Sequence, residues 1–265
     1  MKKQLILIII IIIMTPFFLI QRKSTENINL IVFSGESNSG GRALNSDLTS
    51  FEKSAKPNLK ILNNQTLLFE DLQIGVNNLI DHAGMPAYIT TTEHSWESGL
   101  VKKIEDSTIT NKWLVKTGQG ASTIAQWNDG GTYWTKFQQR VDAAVSILNI
   151  TTDKKFVLFY TQGINDALAG TDITTWKTAT KAHFAKIRAK YGNVPIFIPL
   201  IRMNTVPNVA NYDNAIIEIC SEISDCYYVE TSGFPQQDNY HWNYIGQKNI
   251  TELLVNKAKE KGFFD

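Results

Sequence analysis

The stretch INLIVFSGESNSGGR, residues 28–42, runs apolar to Phe33 and then breaks into small polar residues around Ser37. An apolar run of this length, bounded by serine and glycine, reads as a strand buried on both faces, the habit of a parallel sheet. Four more segments read as strands, WLVKT (113–117), FVLFYT (156–161), VPIFIPLI (194–201) and CYYVET (226–231), and four of the five are near-continuous apolar runs. Between them, residues 132–150, 174–192 and 209–223 repeat apolar side chains at helical spacing, as does the closing stretch 246–262. Strand alternating with helix predicts a doubly wound α/β sheet of about five parallel strands with helices on both faces.

The chain has 265 residues, 43% of them hydrophobic and 19% charged, which suits one domain with a sizeable core. A formal charge of +1 leaves no basic stripe or acidic tail, so no nucleic-acid partner is expected. The start differs in kind: MKKQLILIIIIIIMTPFFLIQRK has a basic opening and then no charge from Leu5 to Ile20. That is an export signal, either cleaved or kept as a membrane anchor. The expected organisation is therefore a leader over 1–26 and one folded domain over 27–265, exported to the cell envelope or secreted, with membrane contact only through the leader. Two cysteines, Cys220 and Cys226, exclude a thiolate zinc site and leave open either a disulfide or a reduced packing pair.

In open α/β sheets ligands bind outside the carboxyl ends of the strands, so the residues that follow each strand are the candidates. Ser37 follows the first. KTGQGASTIAQW (116–127) follows the second, with Gly118 and Gly120 able to bring backbone N–H groups close to a ligand. YTQGINDAL (160–168) places Asn165 and Asp166 after the third, and Asp238 precedes His241 by three residues in FPQQDNYHWNYIGQ (234–247). A serine needs an imidazole to take its proton, and the imidazole needs a carboxylate to fix its tautomer. His241 and Asp238 can supply both. An acyl-transfer intermediate also needs donors for its oxyanion, which the Ser37 and Gly120 amides and the Asn165 side chain can provide. No metal or other cofactor is called for. Asp166 can equally bond loop amides, and His82, His94 and His183 lack a comparable setting. Trp127 and Trp242 either pack on the sheet or line a sugar subsite. Arg42 either grips an acidic sugar or braces its own loop.

Taken in order, these blocks resemble the SGNH hydrolases, and within them the sialate O-acetylesterase-like carbohydrate esterases. GESNSGGR is similar to that group's GQSNMxGR block, GQGASTIAQW to GGTSIxxW, YTQGINDA to WYQGESDA, and DNYHWNYIGQ to DxxHxNxxGQ. EHSWESGL (93–100) weakly resembles its FGPELGL segment. The resemblance implies a three-layer αβα fold like flavodoxin. It implies a serine esterase with Ser37 as nucleophile, Asp238 and His241 as partners, and Ser37, Gly120 and Asn165 as oxyanion donors. Glu36 stands where the group usually has glutamine, and Ile164 and Asn165 bring the third block closer to the GxND of the wider superfamily. In the second block the group's glycine pair aligns with Gly120 and Ala121, or with Gly118 and Gly120 if a residue is skipped. The expected substrate is an acetylated glycan. Acetyl transfer between sugars would use the same residues, and a silent glycan-binding protein is the reading from another class.

Overall fold

A computed structural model of the chain describes residues 27–80, 88–89, 92–128 and 130–265. The expected leader over 1–26 and His82 lie outside the described residues. Strand β1 (Leu30–Gly35) is buried at all six positions. It shares a sheet with β2 (Lys56–Leu62), β3 (Phe69–Leu72), β4 (Lys112–Lys116), β5 (Val157–Thr161), β6 (Ile196–Pro199) and β7 (Cys226–Val229). The order is β7-β6-β5-β1-β4-β2-β3, parallel throughout except for the antiparallel pair β2 and β3. All five expected strands are present. The sheet is wider than expected by β2 and β3, whose sequences KPNLKIL and FEDL carry too many polar residues to read as buried strands. β3 is the sheet's edge strand and β2 lies next to it, both partly exposed, where polar side chains are tolerated.

Helices α1 (Ser37–Gly40), α2 (Glu97–Glu105), α3 (Thr132–Ile147), α4 (Ile164–Leu168), α5 (Ile173–Tyr191), α6 (Val209–Glu222) and α7 (Tyr244–Glu260) complete the three layers. Local chemistry starts the long ones where it should. The Asp172 carboxylate accepts from the Thr175 amide at 2.9 Å to cap α5, and the Asn243 side chain accepts from Gly246 at 3.0 Å to cap α7. Helix α2 packs on α7 at one face, with Gly99 directly against Thr251. Helices α3 and α5 meet on the other through the Phe137 and Tyr191 rings.

Inside, Phe33 stacks on Phe159 of the neighbouring strand at 5.9 Å between ring centroids and meets the edge of Trp96 at 5.3 Å. Each such fully buried aromatic stabilises by roughly 1.5–3 kcal/mol through apolar area alone. Strand β1 lies between β4 and β5, two strands that are not its neighbours in sequence. The sheet order therefore reverses beside it. A crevice opens at its carboxyl end, and Ser37 sits there.

Candidate active site

Gly35 ends β1 with φ +109°, a conformation that L side chains rarely adopt, and a Cβ there would lie 1.8 Å from the Thr161 carbonyl oxygen. The strand thus passes close to β5, and the Glu36 amide donates to that same carbonyl at 2.8 Å. The chain then coils into the single turn α1, which leaves Ser37 at the rim of a cleft of about 340 Å³. Ser37, Arg42, Ala121, Ile164, Asn165, Leu168, Tyr240 and His241 line it. A larger cavity of about 580 Å³, lined by Ile28, Trp113 and Lys154 among others, lies at the amino ends of the strands, away from the candidate residues.

Ser37 Oγ is 2.9 Å from His241 Nε2, and His241 Nδ1 is 2.8 and 2.9 Å from the two carboxylate oxygens of Asp238. A carboxylate can only accept, so Nδ1 carries the proton and Nε2 presents its lone pair to the serine hydroxyl. Burial pushes Asp238 upward, but donation from the Tyr240 amide and the His241 ring outweighs it and holds the carboxyl below its usual range. Burial pushes His241 below its ordinary value against the pull of Asp238, and Arg42 acts in the same direction. The imidazole is therefore neutral at pH 7 and free to accept a proton.

Asn38, which no sequence pattern points to, stands beside Ser37. Its Nδ2 donates to the Tyr240 carbonyl at 2.9 Å and its Oδ1 accepts from the Trp242 amide at 3.2 Å. The residues on both sides of His241 are thereby tied to α1. Asn165, at the first turn of α4, reaches the cleft, and its side-chain amide also donates to Glu36. Gly118 and Gly120 separate clearly. A Cβ on Gly118 would lie 2.4 Å from Ser39 Oγ and 2.5 Å from the Gly40 amide, so Gly118 is the packing glycine behind α1. Gly120 sits in the turn that Ser122 Oγ closes onto the Gln119 carbonyl at 2.8 Å, one residue before the cleft-lining Ala121.

Asp166 points away from the cleft. Its Oδ2 accepts from the Ile124 amide and from Gln162, each at 2.9 Å, so it ties α4 to the turn at Ile124–Trp127. Arg42 lines the cleft with Nη1 3.3 Å from both carboxylate oxygens of Glu93. For Trp127 and Trp242 the structure takes the packing alternative over the sugar subsite. Trp127 is 0% exposed and Trp242 is 1% exposed, so neither offers a ring to a sugar. Trp127 instead packs against Tyr133 and His183 while its Nε1 donates to Ser122, and Trp242 is held through its amide by Asn38. In their place Leu168 and Tyr240, which sequence gave no reason to choose, line the cleft.

Residues 27–260 match the family described as carbohydrate esterase, sialic acid-specific acetylesterase. Among solved structures, the chain is similar to a protein from Arabidopsis thaliana at 15% identity and TM-score 0.70, covering 87% of this chain and 97% of that one. It is similar to NanS at 12% identity and TM-score 0.65, covering 90% and 98%. A carbohydrate acetylesterase from Xanthomonas citri aligns at 12% identity and TM-score 0.59 over 88% of this chain and 56% of its own. No curated protein matches at a significant level. At these identities the structural likenesses speak for a shared fold.

Proposed function

The chain belongs to the carbohydrate esterase family of sialic acid-specific acetylesterases, and from that premise we propose that it removes O-acetyl groups from carbohydrate through an acetyl-Ser37 intermediate. That it is a hydrolase acting on ester bonds follows from the family. The observation that carries the finer reading is the unbroken chain of hydrogen bonds from Asp238 through His241 to Ser37, opening into a cleft at the switch point of the sheet.

In this reading Ser37 Oγ attacks the acetyl carbon while His241 Nε2 takes its proton. The carbonyl oxygen becomes an oxyanion, which the Ser37 amide, the Gly120 amide and Asn165 Nδ2 stabilise. The protonated His241 then gives its proton to the departing sugar oxygen. Water attacks the acetyl-Ser37 carbonyl as His241 takes its proton, and the tetrahedral intermediate collapses to acetate while His241 returns that proton to Ser37 Oγ. Ala121, Ile164 and Leu168 supply an apolar wall beside Ser37 that suits a methyl group. Export through the 1–26 leader belongs to the same proposal and fits a glycan outside the cytoplasm. Its support is the uncharged run Leu5 to Ile20.

Acetate release from a panel of acetylated polysaccharides and acetylated sialic acid tests this function. The expected result is release from at least one glycan at a rate well above that of the unenzymatic reaction. No release from any member of the panel, together with no hydrolysis of p-nitrophenyl acetate, would overturn it.

A further inference from the structure

Glu36 is fully buried, yet its carboxylate belongs to none of the steps above. Its two oxygens accept from the Ile164 amide at 2.8 Å, the Asn165 amide at 2.9 Å and the Asn165 side-chain Nδ2. Its own backbone is one residue from the nucleophile and is fixed by the Thr161 carbonyl. One side chain therefore joins the turn that carries Ser37 to the turn that carries Asn165. The Asn165 amide has two hydrogens on Nδ2. With one committed to Glu36, rotation about the Asn165 side chain is stopped and the other hydrogen takes a fixed direction.

We propose that Glu36 is a positioning residue whose ionised carboxylate fixes the Asn165 amide, so that its second hydrogen meets the oxyanion formed at Ser37. The proposal rests on the reading of Ser37 as nucleophile and Asn165 as oxyanion donor. Three donors on two oxygens suit a carboxylate, which only accepts, better than a carboxylic acid, whose hydroxyl oxygen is a poorer acceptor and adds an O–H to a ring of donors. The titratable groups that face Glu36 are Asp166 on α4, Tyr160 on β5 and Tyr212 on α6, and the Asp166 charge disfavours its ionisation. Burial raises Glu36 to about 7, against the pull of its donors. Ionisation thus changes in the neutral range, whereas His241 is pushed below the usual imidazole value. As pH falls, turnover loses the Glu36 step first and the His241 step after it.

The test is the pH profile of kcat on p-nitrophenyl acetate, which reports ionisations within the substrate complex, for the wild type, Glu36→Gln, Asn165→Ala and the double variant. The wild type should lose turnover through a step near pH 7. Glu36→Gln should lack that step and run about 10-fold to 100-fold slower at pH 8 with KM unchanged, as expected for a misplaced group. Asn165→Ala should lack the same step, and adding Glu36→Gln to it should cost nothing more. A step near pH 7 that survives in both single variants, or losses that multiply in the double, would overturn the proposal. Where circular dichroism shows Glu36→Gln unfolded, the Asn165→Ala profile decides alone. Ser37→Ala assayed alongside separates the two failures: an active Ser37→Ala removes the nucleophile assignment. An inert one with the step intact in both single variants removes only the role of Glu36.

Discussion

His241 depends on partners at both of its nitrogens, so single substitutions around it should have separable effects. Asp238→Asn keeps the shape of the side chain but presents an amide that favours the wrong imidazole tautomer. Turnover should fall on the order of thousands-fold with KM nearly unchanged, as steady-state kinetics would show. Asn165→Ala removes one of the proposed oxyanion donors and should cost on the order of 100-fold to 1,000-fold in kcat, again with little change in KM. Asn38→Ala leaves every proposed reacting group in place and frees the backbone on both sides of His241. Its kcat should drop about 10-fold or more by misplacement. An unchanged kcat for Asn38→Ala would mean that the loop holds His241 unaided. Ser37, Asp238 and His241 were legible because a serine after a strand and a closely spaced Asp and His have few other reasons to occur together. Asn38 and Glu36 were in plain view in the same block, but their work lies in contacts some 130 to 200 residues away in sequence, which no local pattern records.

At the scale of elements, the turns that follow the strands carry the site, and each has its own anchor. Asp166 anchors α4 through the Ile124 amide and Gln162. Asp166→Ala would leave those buried donors unpaired, and a loss of about 1–3 kcal/mol of stability is expected, read as a lower melting temperature. Gly35→Ala would drive a methyl group into the Thr161 carbonyl at a positive φ, so the variant should fail to fold or lose activity altogether. At the end of α6, Cys220 and the β7 residue Cys226 are free thiols with sulfurs 3.0 Å apart. Sequence left bridge and packing pair open. The contact predicts that mild oxidation closes the bridge and adds about 2 kcal/mol in the chain-entropy account. Thiol labelling of the oxidised, denatured protein should then find none free, and two labelled thiols would contradict this. The five parallel strands and the helices between them were legible from apolar runs and 3.6-residue periodicity. The β2–β3 pair was not, because the edge strand β3 and its neighbour β2 are stabilised largely by backbone pairing, and their alternating patterns were too broken to identify.

For the whole molecule, the buried histidines set the response to acid. Burial holds His94 down to about 4 and His183 down to about 3, against 6.5 for an ordinary imidazole. The folded chain then binds fewer protons than the unfolded one, so stability is lost as pH falls from 6.5 towards those values. At about 1.4 kcal/mol per pH unit, the losses are about 3 kcal/mol for His94 and about 5 kcal/mol for His183. Glu36, raised from 4.5 to about 7, acts in the opposite sense and returns about 3 kcal/mol as pH falls from 7 to 4.5. Over pH 6.5 to 4 the two histidines together outweigh Glu36, so their contribution lowers the melting temperature across that window. His183→Phe, placed among the rings of Trp134, Phe137 and Phe184, should flatten that fall, and an unaltered slope would refute its origin. The central claim, hydrolysis through acetyl-Ser37, is tested most directly by turnover of Ser37→Ala on p-nitrophenyl acetate, with folding checked by circular dichroism. The account predicts a folded protein whose turnover has dropped by several orders of magnitude, and retention of more than about a tenth of wild-type activity would contradict it.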